Sequence, residues 1–87
     1  MKVFRLNDVE WWAGSSLEEV IEEATKITGV SREDLTDSDT RELTEKELDD
    51  LIFFNPVANV KISFREELNR RVQENETFPC FFASSEY

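Results

Sequence analysis

Cysteine, serine, threonine and twenty carboxylates are the side chains through which this 87-residue chain could do acid–base or covalent chemistry, for it has no histidine. That omission removes the commonest general base and the commonest metal ligand. Cys80, the single cysteine, has no imidazole to take its proton, and Phe81 and Phe82 beside it predict an apolar setting that disfavours the thiolate. It reads as structural. Most of the thirteen Ser and Thr residues fall where helix caps and turns need them, and no base is present for a triad. Two carboxylates can act as acid and base on a glycoside, but spacing singles out no pair here and so small a domain leaves little room for a sugar. No catalytic residue and no cofactor are expected, and the chain does not read as an enzyme.

Metal binding fares no better. Asp34, Thr36, Ser38, Thr40, Glu42 and Glu45 fall at positions 1, 3, 5, 7, 9 and 12 of a calcium-hand spacing. Position six is Asp39 where that loop needs glycine for its sharp turn, and the early positions carry too few carboxylates. No metal site is expected.

What the carboxylates can do together is present charge. The chain carries 20 Asp and Glu against 10 Lys and Arg, a net charge of −10. Residues 8–50 hold 15 acids against 4 bases, and the remainder holds 5 against 6. Glu18 and Glu22, and likewise Glu19 and Glu23, are spaced i, i+4, so on a helix they stand side by side and repel. Only Lys26 answers them. A merely solvated helix interleaves lysine with glutamate; here that balance is withheld. Glu18, Glu19, Glu22, Glu23, Asp34, Asp37, Asp39 and Glu42 are therefore the candidate partner-binding residues. Such a row offers a protein roughly what a phosphate backbone offers, and suits the same Lys and Arg grooves. DNA mimicry and simple charge complementarity are both open, and charge that serves solubility alone is the competing reading.

The elements that must carry these residues follow from periodicity. Lys2–Leu6 and Val9–Ala13 read as two strands joined by a two-residue Asn7-Asp8 loop, a register that pairs Phe4 with Trp11 and Arg5 with Glu10. Ser16-Leu17-Glu18-Glu19 is a capping box opening a helix over 17–28, with Leu17, Val20, Ile21, Ala24 and Thr28 inward and Gly29 as the stop. Ser31–Asp34 starts one helical turn, Asp37–Thr40 is loop, and Thr44–Glu47 caps a short acidic helix. Leu51–Phe54 is apolar on every side, so strand and helix remain open. Val60–Ile62 reads as a strand. Ser63–Glu66 caps a helix to about residue 75 with Phe64, Leu68 and Val72 inward and Arg65, Arg70 and Arg71 mostly outward. Phe78–Ala83 reads as a last strand buried on both faces. The expectation is one compact domain over 1–87 of α+β class. It has a small, mostly antiparallel sheet, built from the N-terminal hairpin and a C-terminal strand, packed with two main helices.

Composition excludes several partners. An acidic chain lacks the clustered cations that DNA, RNA or an anionic membrane require. With 39% apolar residues it is too hydrophobic for a disordered acidic tail. No apolar run approaches the ~20 residues that span a bilayer, no signal-peptide pattern opens the chain, and one cysteine makes no internal disulfide. A cytoplasmic protein is expected. Trp11 and Trp12 are adjacent on a strand and point to opposite faces, so Trp12 is either covered by a helix or exposed as an aromatic anchor for a partner. The second case makes it a candidate binding residue and supports the alternative of a small adaptor or assembly protein docking through an apolar patch.

Three segments carry a family resemblance: Met1–Glu19, above all Trp11-Trp12-Ala13-Gly14-Ser15-Ser16-Leu17-Glu18-Glu19; Phe64-Arg65-Glu66-Glu67-Leu68; and the ending Phe78-Pro79-Cys80-Phe81-Phe82-Ala83-Ser84-Ser85-Glu86-Tyr87. Together they resemble small acidic proteins of proteobacterial phages and mobile elements, a group that includes anti-CRISPR proteins. Residues 30–62 lie outside the likeness. The resemblance implies a phage protein acting in a bacterial host, an inhibitor that works by binding a basic protein or ribonucleoprotein surface such as a CRISPR effector complex. It transfers no catalytic residue.

Overall fold

The computed structural model describes residues 1–55 and 59–84, the side chains of Asn55 and Val60 excepted. A turn at Asn7 sets its register. Asn7 Oδ1 accepts hydrogen bonds from the backbone N–H groups of Val9 and Glu10 at 3.0 and 3.1 Å, while its Nδ2 donates to the Leu35 carbonyl at 2.8 Å. Leu6 N–H donates to the Glu10 carbonyl, so the loop spans Asn7, Asp8 and Val9 rather than the two residues expected. β1 (Lys2–Arg5) and β2 (Glu10–Gly14) therefore pair Val3 with Ala13, Phe4 with Trp12 and Arg5 with Trp11. A one-residue slip sends every side chain of the partner strand to the other face. Trp12, not Trp11, joins Phe4 and Leu6, and Arg5 is no longer opposite Glu10.

The class is the α+β class expected. Two further strands, β3 (Arg41–Glu42) beside β1 and β6 (Cys80–Ser84) beside β2, complete an antiparallel sheet of order β3-β1-β2-β6. β3 is too short to show as alternation in the sequence. β4 (Ile52–Asn55) and β5 (Val60–Ser63) form a separate antiparallel pair, which resolves the apolar run after Leu51 as strand. Phe82 is the extra residue of a bulge on β6, since Trp11 pairs with Ala83 and Trp12 with Phe81.

Both faces of the sheet are covered. On one, α1 (Leu17–Thr28) and α2 (Arg32–Leu35) pack Val20, Ile21, Ala24 and Leu35 onto Phe4, Leu6 and Trp12. On the other, α3 (Glu45–Asp50), the β4–β5 hairpin and α4 (Phe64–Gln73) pack Leu48, Phe64 and Leu68 onto Val3, Ala13, Phe82 and Ala83. Phe64 lies edge-on to Trp11, Phe53 and Phe82, with ring centres 5.1–6.5 Å apart. The caps that fix where these helices begin are the expected ones. Ser16, Thr44 and Ser63 accept from the N–H groups of Glu19, Glu47 and Glu66, and Thr44 with Glu47 closes the box in both directions. Gly29, at φ 72°, ends α1 with its N–H on the Thr25 carbonyl.

Two expectations about α4 and β6 fail. Val72 is exposed and Glu67 takes the inward place on α4, while Arg71 turns in rather than out. Phe81 is 45% exposed, so β6 is not buried on both faces.

Candidate functional site: an acidic helical face

Trp12 is 2% exposed beneath α1, with Phe81 packed edge-on against its ring. It is a core residue and cannot anchor a partner, and the adaptor reading loses the side chain it was built on. The described residues enclose no pocket, and among them no three His, Cys, Asp or Glu side chains converge as metal ligands. Burial pushes the Cys80 thiol up from its ordinary pKa, with Arg71 partly opposing. The candidate carboxylates lie on the charged surface.

That surface differs between the two sides of the sheet. Around α3 and α4 the acids other than Glu66 are paired. Arg41 forks onto both carboxylate oxygens of Glu47, which together with the Thr44 N–H holds that carboxyl down at about 2. Arg65 bridges Glu45 and Asp49, Lys46 pairs with Asp50, and Arg70 reaches both Glu67 and Glu74. Arg71 pairs with Glu67 and Glu76. Each exposed pair adds little stability, but each cancels charge locally.

Around α1 and α2 cancellation is incomplete. Glu18 is held by both outer nitrogens of Arg32 at 2.8 and 2.9 Å, which lowers its pKa. Asp37 accepts from the Asp39 N–H at 2.8 Å and from Arg5 at 3.0 Å, which lowers its pKa likewise, and Asp39 lies 3.8 Å from the same guanidinium. Glu42 pairs with Lys2 at 3.4 Å. Glu19 accepts only the Ser15 hydroxyl, and Glu22, Glu23 and Asp34 have no cationic partner among the described residues. Thus four of the eight candidate carboxylates have a cation beside them, and Glu19, Glu22, Glu23 and Asp34 have none among the described residues.

The pairs made by Glu18, Asp37, Asp39 and Glu42 were invisible in the sequence, because Arg32, Arg5 and Lys2 lie 14 to 40 positions away. Glu33, beside Asp34, likewise makes no ion pair among the described residues, and sequence reasoning passed over it. Its position in the first turn of α2 was the available signal. Lys26 is the lone cation of α1 and makes no ion pair among the described residues. No helix is long and apolar enough to cross a membrane among the residues described. No protein-family model, no curated protein and no solved structure matches the chain.

Proposed function

We propose that this protein is a non-enzymatic inhibitor that docks the α1–α2 face on a basic, nucleic-acid-binding surface of a protein or ribonucleoprotein and so obstructs it. The observation that carries this reading is the contrast between the two sides of the sheet. On the α3–α4 side every acid of α3 and α4 but Glu66 has a cation beside it, whereas Glu19, Glu22, Glu23, Glu33 and Asp34 have none within ion-pair distance among the described residues. A carboxylate helix of this kind supports either DNA mimicry or a steric block, since both need the face to sit on Lys and Arg. The resemblance to small phage proteins makes a CRISPR effector complex in the bacterial cytoplasm the first target to test.

The experiment is a titration of such a complex bound to its target DNA, followed by electrophoretic mobility. Wild-type protein is expected to release the DNA, and a Glu19→Lys, Glu22→Lys, Glu23→Lys variant with an unchanged circular-dichroism spectrum to release none. Equal release by both proteins would place the binding surface elsewhere.

A further inference from the structure

The chain leaves α1 at Gly29 and returns to the core at Leu35, and residues 30–34 between them are all exposed. Leu35 is well fixed. Its side chain is buried with Phe4, Leu6 and Trp12, and its carbonyl accepts from Asn7 Nδ2 at 2.8 Å. The chain beyond it is tied down too, by Arg5 on Asp37 and by the Thr40 hydroxyl on the Leu6 carbonyl. Burial holds nothing at the start of α2. A single helical turn has no stability of its own, because its nucleus costs more than its first hydrogen bond returns. Ser31 caps the turn, but that bond stays within it. What reaches outside is Arg32, whose two outer nitrogens donate to the two carboxylate oxygens of Glu18, 14 residues earlier on α1. Among the described residues no other side-chain hydrogen bond or ion pair joins residues 31–34 to another element.

We propose that Arg32 is a positioning residue of the docking face: by clasping Glu18 it fixes α2 against α1 and so holds Glu33 and Asp34 in place for the basic partner. This deepens the acidic-face reading and rests on it. Charge alone gives Arg32 no place there. The pair takes one carboxylate out of a face that meets lysines and arginines and puts a cation into it, which opposes encounter with a basic surface. Nor is stability its use, since an ion pair this exposed contributes little. Geometry supplies the reason. The buried Leu35 is one fixed point and the Arg32 clasp is a second, and two points set the direction of a one-turn helix. Glu33 and Asp34 lie between them in sequence. The planar fork of arginine suits such a clasp, because its two parallel bonds leave the side chain little freedom. Acids fixed before contact spare the complex the cost of ordering them on binding.

Arg32→Met tests this, because clasp and charge predict opposite signs. In the free protein, amide relaxation should give residues 32–34 order parameters near the rigid-backbone value of about 0.85, and Arg32→Met should bring them below about 0.6 with α1 unchanged. Binding is then titrated at low salt against a purified CRISPR effector complex. Arg32→Met leaves the protein more acidic, yet it should bind about five-fold more weakly, the cost of ordering two side chains in the complex. In a Glu33→Gln, Asp34→Asn background the same substitution should cause no loss, because nothing is left for the clasp to position. Unchanged order parameters, binding by Arg32→Met as tight as wild type or tighter, or the same loss in the neutralised background each overturns the positioning role and leaves the acidic face standing. No binding by the wild type overturns the acidic face, and the positioning role with it, whatever the order parameters.

Discussion

Glu67 and Arg71 stand one turn apart on α4 and face inward together. Arg71 Nε donates to Glu67 Oε2 at 2.6 Å, while its guanidinium carbon lies 4.6 Å from the centre of the Phe82 ring. Glu67 is 1% exposed, and Arg70 reaches both of its oxygens as well. With its other nitrogens on the β6 carbonyls, Arg71 ties helix to strand by charge, stacking and hydrogen bonds at once. Removing one partner of a buried pair leaves the other desolvated and undermatched, so Arg71→Met should cost about 3 kcal/mol. Urea unfolding should show a lower midpoint with an unchanged slope. A loss below about 0.5 kcal/mol would mean that the pair is effectively solvated.

Acid should weaken the same fold. Burial raises the Glu67 pKa, but the hydrogen bonds and charges of Arg70 and Arg71 outweigh it and leave a net lowering. Glu47 falls from 4.5 to about 2, chiefly through its hydrogen bond from Arg41. A carboxyl whose folded pKa is lowered adds stability that is complete above its unfolded value and is lost as pH falls through the folded one. Unfolding free energy should therefore decline from about pH 5 toward about pH 2. Glu47→Gln should be less stable than wild type at pH 7 and flatter across that window in urea titrations at fixed pH.

Gly14 is required for space rather than for backbone freedom. A Cβ there would meet Val20 Cγ2 at 2.5 Å and Pro79 Cβ at 3.3 Å, with the Pro79 Cα at 3.7 Å behind it. Gly14→Ala must push α1 off the sheet, and overpacking of this kind costs about 1–3 kcal/mol. The melting temperature reads it, and Gly14→Ala with Val20→Ala should recover part of the loss.

Trp12→Ala should behave as a core deletion, with a loss of about 3–5 kcal/mol in denaturant unfolding. Its effect on partner binding should vanish once the folded fraction is corrected for. A stable Trp12→Ala protein that has lost binding would restore the aromatic-anchor reading.

Local signals were legible in the sequence and long-range ones were not. Ser16 and Gly29 bracket α1 at the residues that capping chemistry dictates, and the Thr44–Glu47 box places α3 in the same way. The hairpin register was missed because Asn7 closes the turn with its own side chain and is held from outside by Leu35, a contact 28 residues away. That single slip decides which tryptophan is buried under α1. The inward turn of Arg71 did leave a trace, since it lies seven residues from Phe64 and three from Leu68, on the inner stripe. Its charge argued for solvent, and only Glu67, Phe82 and the β6 carbonyls overrule that. On the acidic face, composition located the excess charge in residues 8–50, but which carboxylates stay unmatched depends on tertiary placement of Lys2, Arg5 and Arg32.

The most direct test of the docking face is the salt dependence of affinity for a purified CRISPR effector complex, measured for wild type and for Glu22→Gln, Glu23→Gln, Asp34→Asn. Between about 50 and about 300 mM salt, log affinity for the wild type should fall linearly with log salt. The triple variant should bind more weakly at low salt with a clearly shallower slope, because three of the charges that meet the partner are gone. Superimposable lines for the two proteins would contradict the claim that these carboxylates form the interface.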